Sequence, residues 1–320
     1  MQSREALNAG TSGSPEGAQP PLRYAFPSAR GPTSHNRSSA LIKDMDALKQ
    51  RMATAKAGTG EVAAVLSSVT FQPRAAAFTS LIQATSKAKA TEKALELFQC
   101  MQDIFGIPPN TFSSSALISA LAKSGQWELA EFYFHDLVAR SSNDPRSRPN
   151  TVTFSALLNA YEKGGQFEKA LKVFQQQLDA KVDPDLITFG SLVSACERAG
   201  QLETAIAMLD VMHNFGLSGT QQMYNAVIAA APDWNSALEV FLGMQCAMVE
   251  PTVQTLNSTL TQAAGSGSMQ PILDVLLAAG QCHASLTAST LAAVRRATTA
   301  LGGDRQLAHV LSSLPSGLFK

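Results

Sequence analysis

The sequence predicts an all-α fold, a right-handed α-solenoid of stacked helix-turn-helix repeats, and three observations carry that prediction. Five similar segments start near Ala75, Thr111, Thr151, Leu186 and Gln221, and their shared alanines recur at intervals of 36, 40, 35 and 32 residues. Within each, apolar residues return every three or four positions, as one face of a helix does. An alanine follows each start at the corresponding place: Ala94, Ala130, Ala170, Ala205 and Ala237. Self-similarity at such a period marks a stack of supersecondary units, each of which buries its apolar face against its neighbours.

Taken in order, residues 1–37 are rich in Gly, Pro, Ser and Ala, with Arg4, Arg23, Arg30 and Arg37 against Glu5 and Glu16. A segment of this kind buries too little surface to offset its ordering entropy, and disorder is expected. Its Arg- and Ser-rich, acid-poor composition also fits an organelle transit peptide, although Pro and Gly work against a long amphipathic helix. Residues 38–74 read as a helical hairpin that caps the first end of the array. Leu41, Met45, Leu48 and Met52 fall on one helical face, Gly58 to Gly60 break the chain, and Val62 to Val69 form a second apolar segment.

The repeats then occupy residues 75–110, 111–150, 151–185, 186–220 and 221–252. In the third, Phe154, Leu157, Leu158 and Tyr161 make one apolar face of a first helix, which Gly164 and Gly165 end as glycines past a C-terminus do. Ala170, Val173, Phe174 and Leu178 make the stripe of a second helix, stopped before Pro184. Each unit is therefore an αα-hairpin, and the shared alanine lets its two helices approach closely near the turn. The long interval carries an insertion at Ser141 to Arg148. The short one is expected to have lost part of the inner turn, around Pro232 to Asn235. Residues 253–320 read as degenerate repeats and a C-terminal cap. Thr255 to Leu260, Ile272 to Leu277 and Leu286 to Arg296 echo successive helices, and Leu307 to Leu311 lie in the last one.

Bulk properties exclude several functions. The formal net charge is zero, so binding to an anionic polymer must rest on where charges sit rather than on their sum. Cys100, Cys196, Cys246 and Cys282 are far apart with no C-x-x-C spacing, and read as reduced thiols packed in helices. His35, His135, His213, His283 and His309 form no ligand pattern, so no metal site or cofactor is expected. Nucleotide-binding glycine loops, the nucleophile elbow and the zinc deaminase signature are missing, and no enzymatic activity is expected. Apolar runs such as Ile272 to Ala279 are too short to cross a bilayer, which argues against membrane insertion. Trp127 and Trp234 lie at the inner turns and read as packing residues.

The strings TVTFSALLNAYEKGGQFEKALKVF, LITFGSLVSACERAGQLETAIAML and QMYNAVIAAAPDWNSALEVFLGM resemble pentatricopeptide repeats. The likeness is good over 75–252 and weak over 253–311. The tryptophan and Leu-Gly signature of the tetratricopeptide repeat, the nearest alternative hairpin, is absent. The resemblance implies single-stranded RNA as partner, one nucleotide per repeat, read by the residue after the first-helix aromatic and by the last residue of the unit. Those pairs are Thr79 with Asn110, Ser115 with Asn150, Ser155 with Asp185, Gly190 with Thr220, and Asn225 with Thr252. By family analogy the first two favour adenine, the third guanine and the fifth a pyrimidine, while Gly190 leaves the fourth open. The same short polar residues are also common helix N-caps. Phe112, Val152 and Ile187 would bracket bases by apolar contact, whereas Ala76, Gln222 and Gln254 weaken that surface toward both ends.

A ladder of cations adds to this reading. Lys87, Lys123, Lys163 and Arg198 each stand nine residues after Phe78, Ser114, Phe154 and Phe189, and a stack in register would array them along a phosphate backbone. Cations near helix C-termini also complement the macrodipole, which by itself favours that placement. The function expected is RNA binding in organellar RNA processing, stability or translation, in mitochondrion or chloroplast by family resemblance. The alternative is a scaffold on which the same surface holds other proteins.

Overall fold

The computed structural model describes residues 45–88, 90–142, 144, 147–281 and 288–300, with the single residues 305, 309 and 312. The expectations for residues 1–37, Leu41, Cys282, His283, Leu286 and most of Leu307 to Leu311 lie outside the described residues. The described chain is a right-handed α-solenoid of fifteen helices, with no strand among the described residues.

A first pair, α1 (Met45–Thr54) and α2 (Glu61–Ser67), precedes the array. Six hairpins follow: α3 (Ala75–Lys87) with α4 (Thr91–Asp103), α5 (Thr111–Lys123) with α6 (Trp127–Ser141), α7 (Thr151–Gly164) with α8 (Phe167–Asp179), α9 (Leu186–Ala199) with α10 (Leu202–Asn214), α11 (Gln221–Ala229) with α12 (Trp234–Cys246), and α13 (Val253–Gly265) with α14 (Met269–Gln281). Helix α15 (Ala288–Ala300) packs on α13.

Two layers result. The first helices α3, α5, α7, α9, α11 and α13 pack one against the next, whereas each second helix wedges between its own first helix and the following one. Successive second helices meet far less, so the first helices close ranks on the inside of the curve and the second helices fan out. Ala94, Ala130, Ala170, Ala205 and Ala237 are fully buried, each in the second helix of its hairpin. Phenylalanines lock repeat to repeat: Phe134 of α6 meets Phe154 of α7 at 5.2 Å, and Phe174 of α8 meets Phe189 of α9 at 5.6 Å. In the second repeat Ser114 replaces that aromatic and is fully buried, and Phe98 turns instead to Tyr133 at 5.4 Å.

The first hairpin is tied down by α4. Lys93 Nζ donates to the carbonyls of Met52 and Ala53 at 3.2 and 3.3 Å, and Glu96 accepts the Gly58 N–H. Burial raises the Glu96 carboxyl above the usual carboxylate range.

One expectation is corrected. The residues missing from the fifth repeat come out of its first helix rather than its inner turn: α11 has 9 residues against 13 in α5 and 14 in α7. The connection to α12 spans residues 230–233, longer than the 165–166 turn in the third repeat. Losing a whole turn of helix preserves the apolar face, because one turn brings the stripe back into phase. The turn that is lost is the one that carries the cation in the earlier repeats.

Candidate nucleic-acid interface

On each first helix, positions two, five, nine and thirteen of the repeat fall within a band of roughly 80° at about 100° per residue. In the third repeat these are Val152, Ser155, Asn159 and Lys163; in the second, Phe112, Ser115, Ser119 and Lys123. The fourth repeat has Ile187, Gly190, Ser194 and Arg198, and the first has Ala76, Thr79, Gln83 and Lys87. Because these helices are adjacent and parallel, each position becomes a row running across the inner layer.

The first row is apolar and open. Phe112 is 69% exposed, Val152 57% and Ile187 62%. Ala76, Gln222 and Gln254 continue the row and are exposed as well, with little apolar surface to offer.

The last residue of each repeat is the N-cap of the next first helix. Asn110 and Asn150 form capping boxes with Ser113 and Thr153, Asp185 accepts from Thr188 N at 2.8 Å, and Thr220 and Thr252 cap α11 and α13. The capping reading of these residues is thus correct, and it leaves part of each side chain unspent. Asn110 and Asn150 use Oδ1 inward, and their Nδ2 groups have no partner among the described residues.

Two of the five pairs are joined through a third residue. Ser115 Oγ lies 2.7 Å from Thr153 Oγ1, which lies 2.9 Å from Asn150 Oδ1. Ser155 Oγ lies 3.0 Å from Asp185 Oδ1 directly and 3.2 Å from Thr188 Oγ1. In the first pair Thr79 Oγ1 turns back to the Ala75 carbonyl at 3.1 Å, with no hydrogen bond to Asn110. Gly190 has open space where a side chain would stand, and Asn225 carries a buried Oδ1 with no partner, unconnected to Thr252.

The cations form the outermost row. Lys87, Lys123, Lys163 and Arg198 are all exposed in the last turns of α3, α5, α7 and α9. The three lysines have no ion-pair partner among the described residues. Arg198 differs, because its guanidinium reaches back one repeat, with Nη1 donating to the Glu162 carbonyl at 3.1 Å and Nη2 3.2 Å from Glu162 Oε1. The ladder thus has three free rungs and one that is clasped.

Two sets of residues, one beneath this face and one on it, are missing from the sequence-based expectations. Thr153 and Thr188 are buried hydroxyls with no periodic apolar signature. Gln83, Ser119, Asn159 and Ser194 fill the row between the fifth-position and cationic residues, four residues beyond the former, a spacing that would have revealed them.

Of the cysteines, Cys196 is buried and Cys100 half-buried, and burial pushes both thiols up to about 11, whereas Cys246 is exposed rather than packed. Among the described residues no group of His, Cys, Asp or Glu could hold a metal ion, and no helix is long and apolar enough to cross a membrane.

Fold and face together define a class: an α-solenoid of helical hairpins with a polar, apolar and cationic pattern repeated along its inner row. Repeat models agree with it. The PPR repeat model matches residues 76–104, 112–141 and 187–217, and that of the PPR repeat family matches 149–198. No curated protein matches the sequence. Among solved structures, the chain is similar to the pentatricopeptide repeat protein PPR10 from maize, at 24% identity and TM-score 0.53, over 82% of this chain and 44% of that one. It is similar to PPR10 in complex with an 18-nt psaJ RNA element at 19% identity and TM-score 0.52, over 82% of this chain and 38% of that one. The chain therefore spans less than half the length of these structures, and the likeness is one of fold. The chain carries pentatricopeptide repeats within residues 76–217.

Proposed function

We propose that the chain binds single-stranded RNA along the inner row of first helices, about one nucleotide per repeat, and serves RNA processing, stability or translation in a mitochondrion or chloroplast. Its activity is binding, with no catalytic step. The observation that carries this reading is the row of Phe112, Val152 and Ile187, three large apolar side chains held open to solvent on successive repeats. Such a row loses apolar exposure only when something flat or apolar lies along it, and unpaired bases do so. Beside it stand unspent amide and carboxylate atoms that suit Watson–Crick edges, and beyond those the free lysines that suit phosphates. The PPR10 structure that holds an RNA element supports the same reading by its likeness in fold.

A salt titration of binding to single-stranded RNA tests it. With Lys87, Lys123, Lys163 and Arg198 meeting a phosphate each, the slope of log affinity against log salt is expected near −3, at about 0.7 per charge. It becomes about −2 if Arg198 keeps its hold on Glu162. Lys123→Glu with Lys163→Glu is expected to flatten the slope further and weaken all sequences alike. A slope near zero in the parent chain contradicts the proposal. The scaffold reading, in which the same row takes a protein segment, would show in a pulldown whose contents are protein only and resist nuclease.

A further inference from the structure

We propose that Thr153 and Thr188, neither of which lies in the exposed face, are positioning residues that decide which atom of the preceding repeat's last residue meets a base. The inference rests on the RNA reading above and deepens it.

Both threonines are fully buried at the third position of their helices. The backbone N–H of Thr153 donates to Asn150 at 3.0 Å, and that of Thr188 donates to Asp185 at 2.8 Å. A backbone N–H can only donate, so the atom facing it is an oxygen. The threonine hydroxyls lie 2.9 Å from the same two oxygens and can donate to them also. Asn150 Oδ1 is therefore held inward by two donors, which fixes the amide and turns Nδ2 away from the helix end. The same lock on Asp185 Oδ1 leaves Oδ2 over. Neither Nδ2 nor Oδ2 has a partner among the described residues, so consecutive repeats present a donor and then an acceptor on the same scaffold.

The serines complete the contrast by proton counting. Ser115 Oγ lies 2.7 Å from the Thr111 carbonyl and 2.7 Å from Thr153 Oγ1; Ser155 Oγ lies 2.6 Å from the Thr151 carbonyl and 3.0 Å from Asp185 Oδ1. Each hydroxyl has one hydrogen, and internal oxygens surround it, so what remains for a ligand is a lone pair. The second repeat then offers an acceptor with a donor, the complement of the adenine amino group and N1. The third offers acceptors alone, the complement of the guanine N1–H and amino group.

The device is incomplete elsewhere. Thr79 makes no contact with Ser113, Met223 stands where the hydroxyl would follow Gly190, and Thr255 bonds Thr252 at 2.9 Å while Asn225 Oδ1 stays unpartnered. Base discrimination is accordingly expected to be sharp at the second and third repeats only.

The test uses the full chain and single-stranded RNA oligonucleotides that differ at one nucleotide among the four bases. Thr153→Val keeps the shape and the backbone donor but removes the hydroxyl, and Ser115 retains the Thr111 carbonyl as a partner. The expected result is about a tenfold loss of discrimination at the one nucleotide facing Ser115 and Asn150, with other positions unchanged and Thr153→Ser restoring it. Thr188→Val is expected to act the same way at the next nucleotide. Discrimination equal to the parent in Thr153→Val overturns the proposal. An RNA-free measurement separates this from failure of the RNA reading: the side-chain amide NMR signals of Asn150 are expected to shift or broaden in Thr153→Val and to recover in Thr153→Ser. Unchanged Asn150 signals in Thr153→Val overturn the positioning role, whether or not the parent chain binds RNA.

Discussion

At the scale of single residues, the contacts between repeats explain choices that composition alone leaves arbitrary. Gly164, at the end of α7, has no side chain because Trp127 of the preceding repeat occupies the space: a Cβ there would sit 2.4 Å from Trp127 Cδ1. The indole cannot step aside cheaply. Lys169 Nζ lies 4.3 Å from its ring centroid, Tyr161 lies 6.2 Å away, and Lys169 is itself held by Glu131 at 2.7 Å. Gly164→Ala is expected to cost about 1–3 kcal/mol of stability, read from the denaturation midpoint. Trp127→Ala in the same chain is expected to remove most of the penalty attributable to the clash, because the two positions couple through one space. Equal costs for Gly164→Ala with and without Trp127 would show that the cost lies in the helix rather than in the contact.

At the scale of the hairpin, the chain ends each helix by a local rule and departs from that rule in readable places. Gly165 takes φ 66° at the C-terminus of α7, where a left-handed residue satisfies the last carbonyls. Lys181 sits after α8 at φ 56°, a conformation that a side chain strains. Lys181→Gly is therefore expected to raise stability by up to about 1 kcal/mol, less what glycine loses in the unfolded chain, as a shift in melting temperature checks. A drop in stability would mean that Lys181 contributes through a contact of its own. Helices and their pairing were legible from sequence because apolar periodicity reports burial, and burial decides which face of Phe154, Leu157, Leu158 and Tyr161 turns inward. The end of α11 was not legible, since removing a full helical turn leaves the stripe in phase and looks like a shortened turn. The cations of the face were legible through their common offset. Their pairing was not: Arg198 and Glu162 meet across repeats, and no local pattern distinguishes Arg198 from the unpaired Lys163. Thr153 and Thr188 were hidden for a related reason, because a hydroxyl at a helix's third position reads as a cap whichever neighbour it also touches.

At the scale of the molecule, a chain of zero net charge carries a face whose charge is local. Two acidic residues are spent on cations outside the row, Glu131 on Lys169 and Asp136 on Arg140, while Glu162 holds Arg198 within it. Lys87, Lys123 and Lys163 are left facing solvent in line. Curvature follows from the same economy of contact, since first helices pack on each other and second helices do so far less, and this brings equivalent side chains of separate repeats onto one inner surface. The central claim is that RNA lies along that surface. Placing a photoreactive side chain in turn at Phe112, Val152, Ile187 and, on the outer layer, Phe132 tests it most directly. Cross-links to single-stranded RNA are expected from the three inner positions, mapping to successive nucleotides in chain order, with little from Phe132. Equal yields from inner and outer positions, or cross-links without that order, would contradict it.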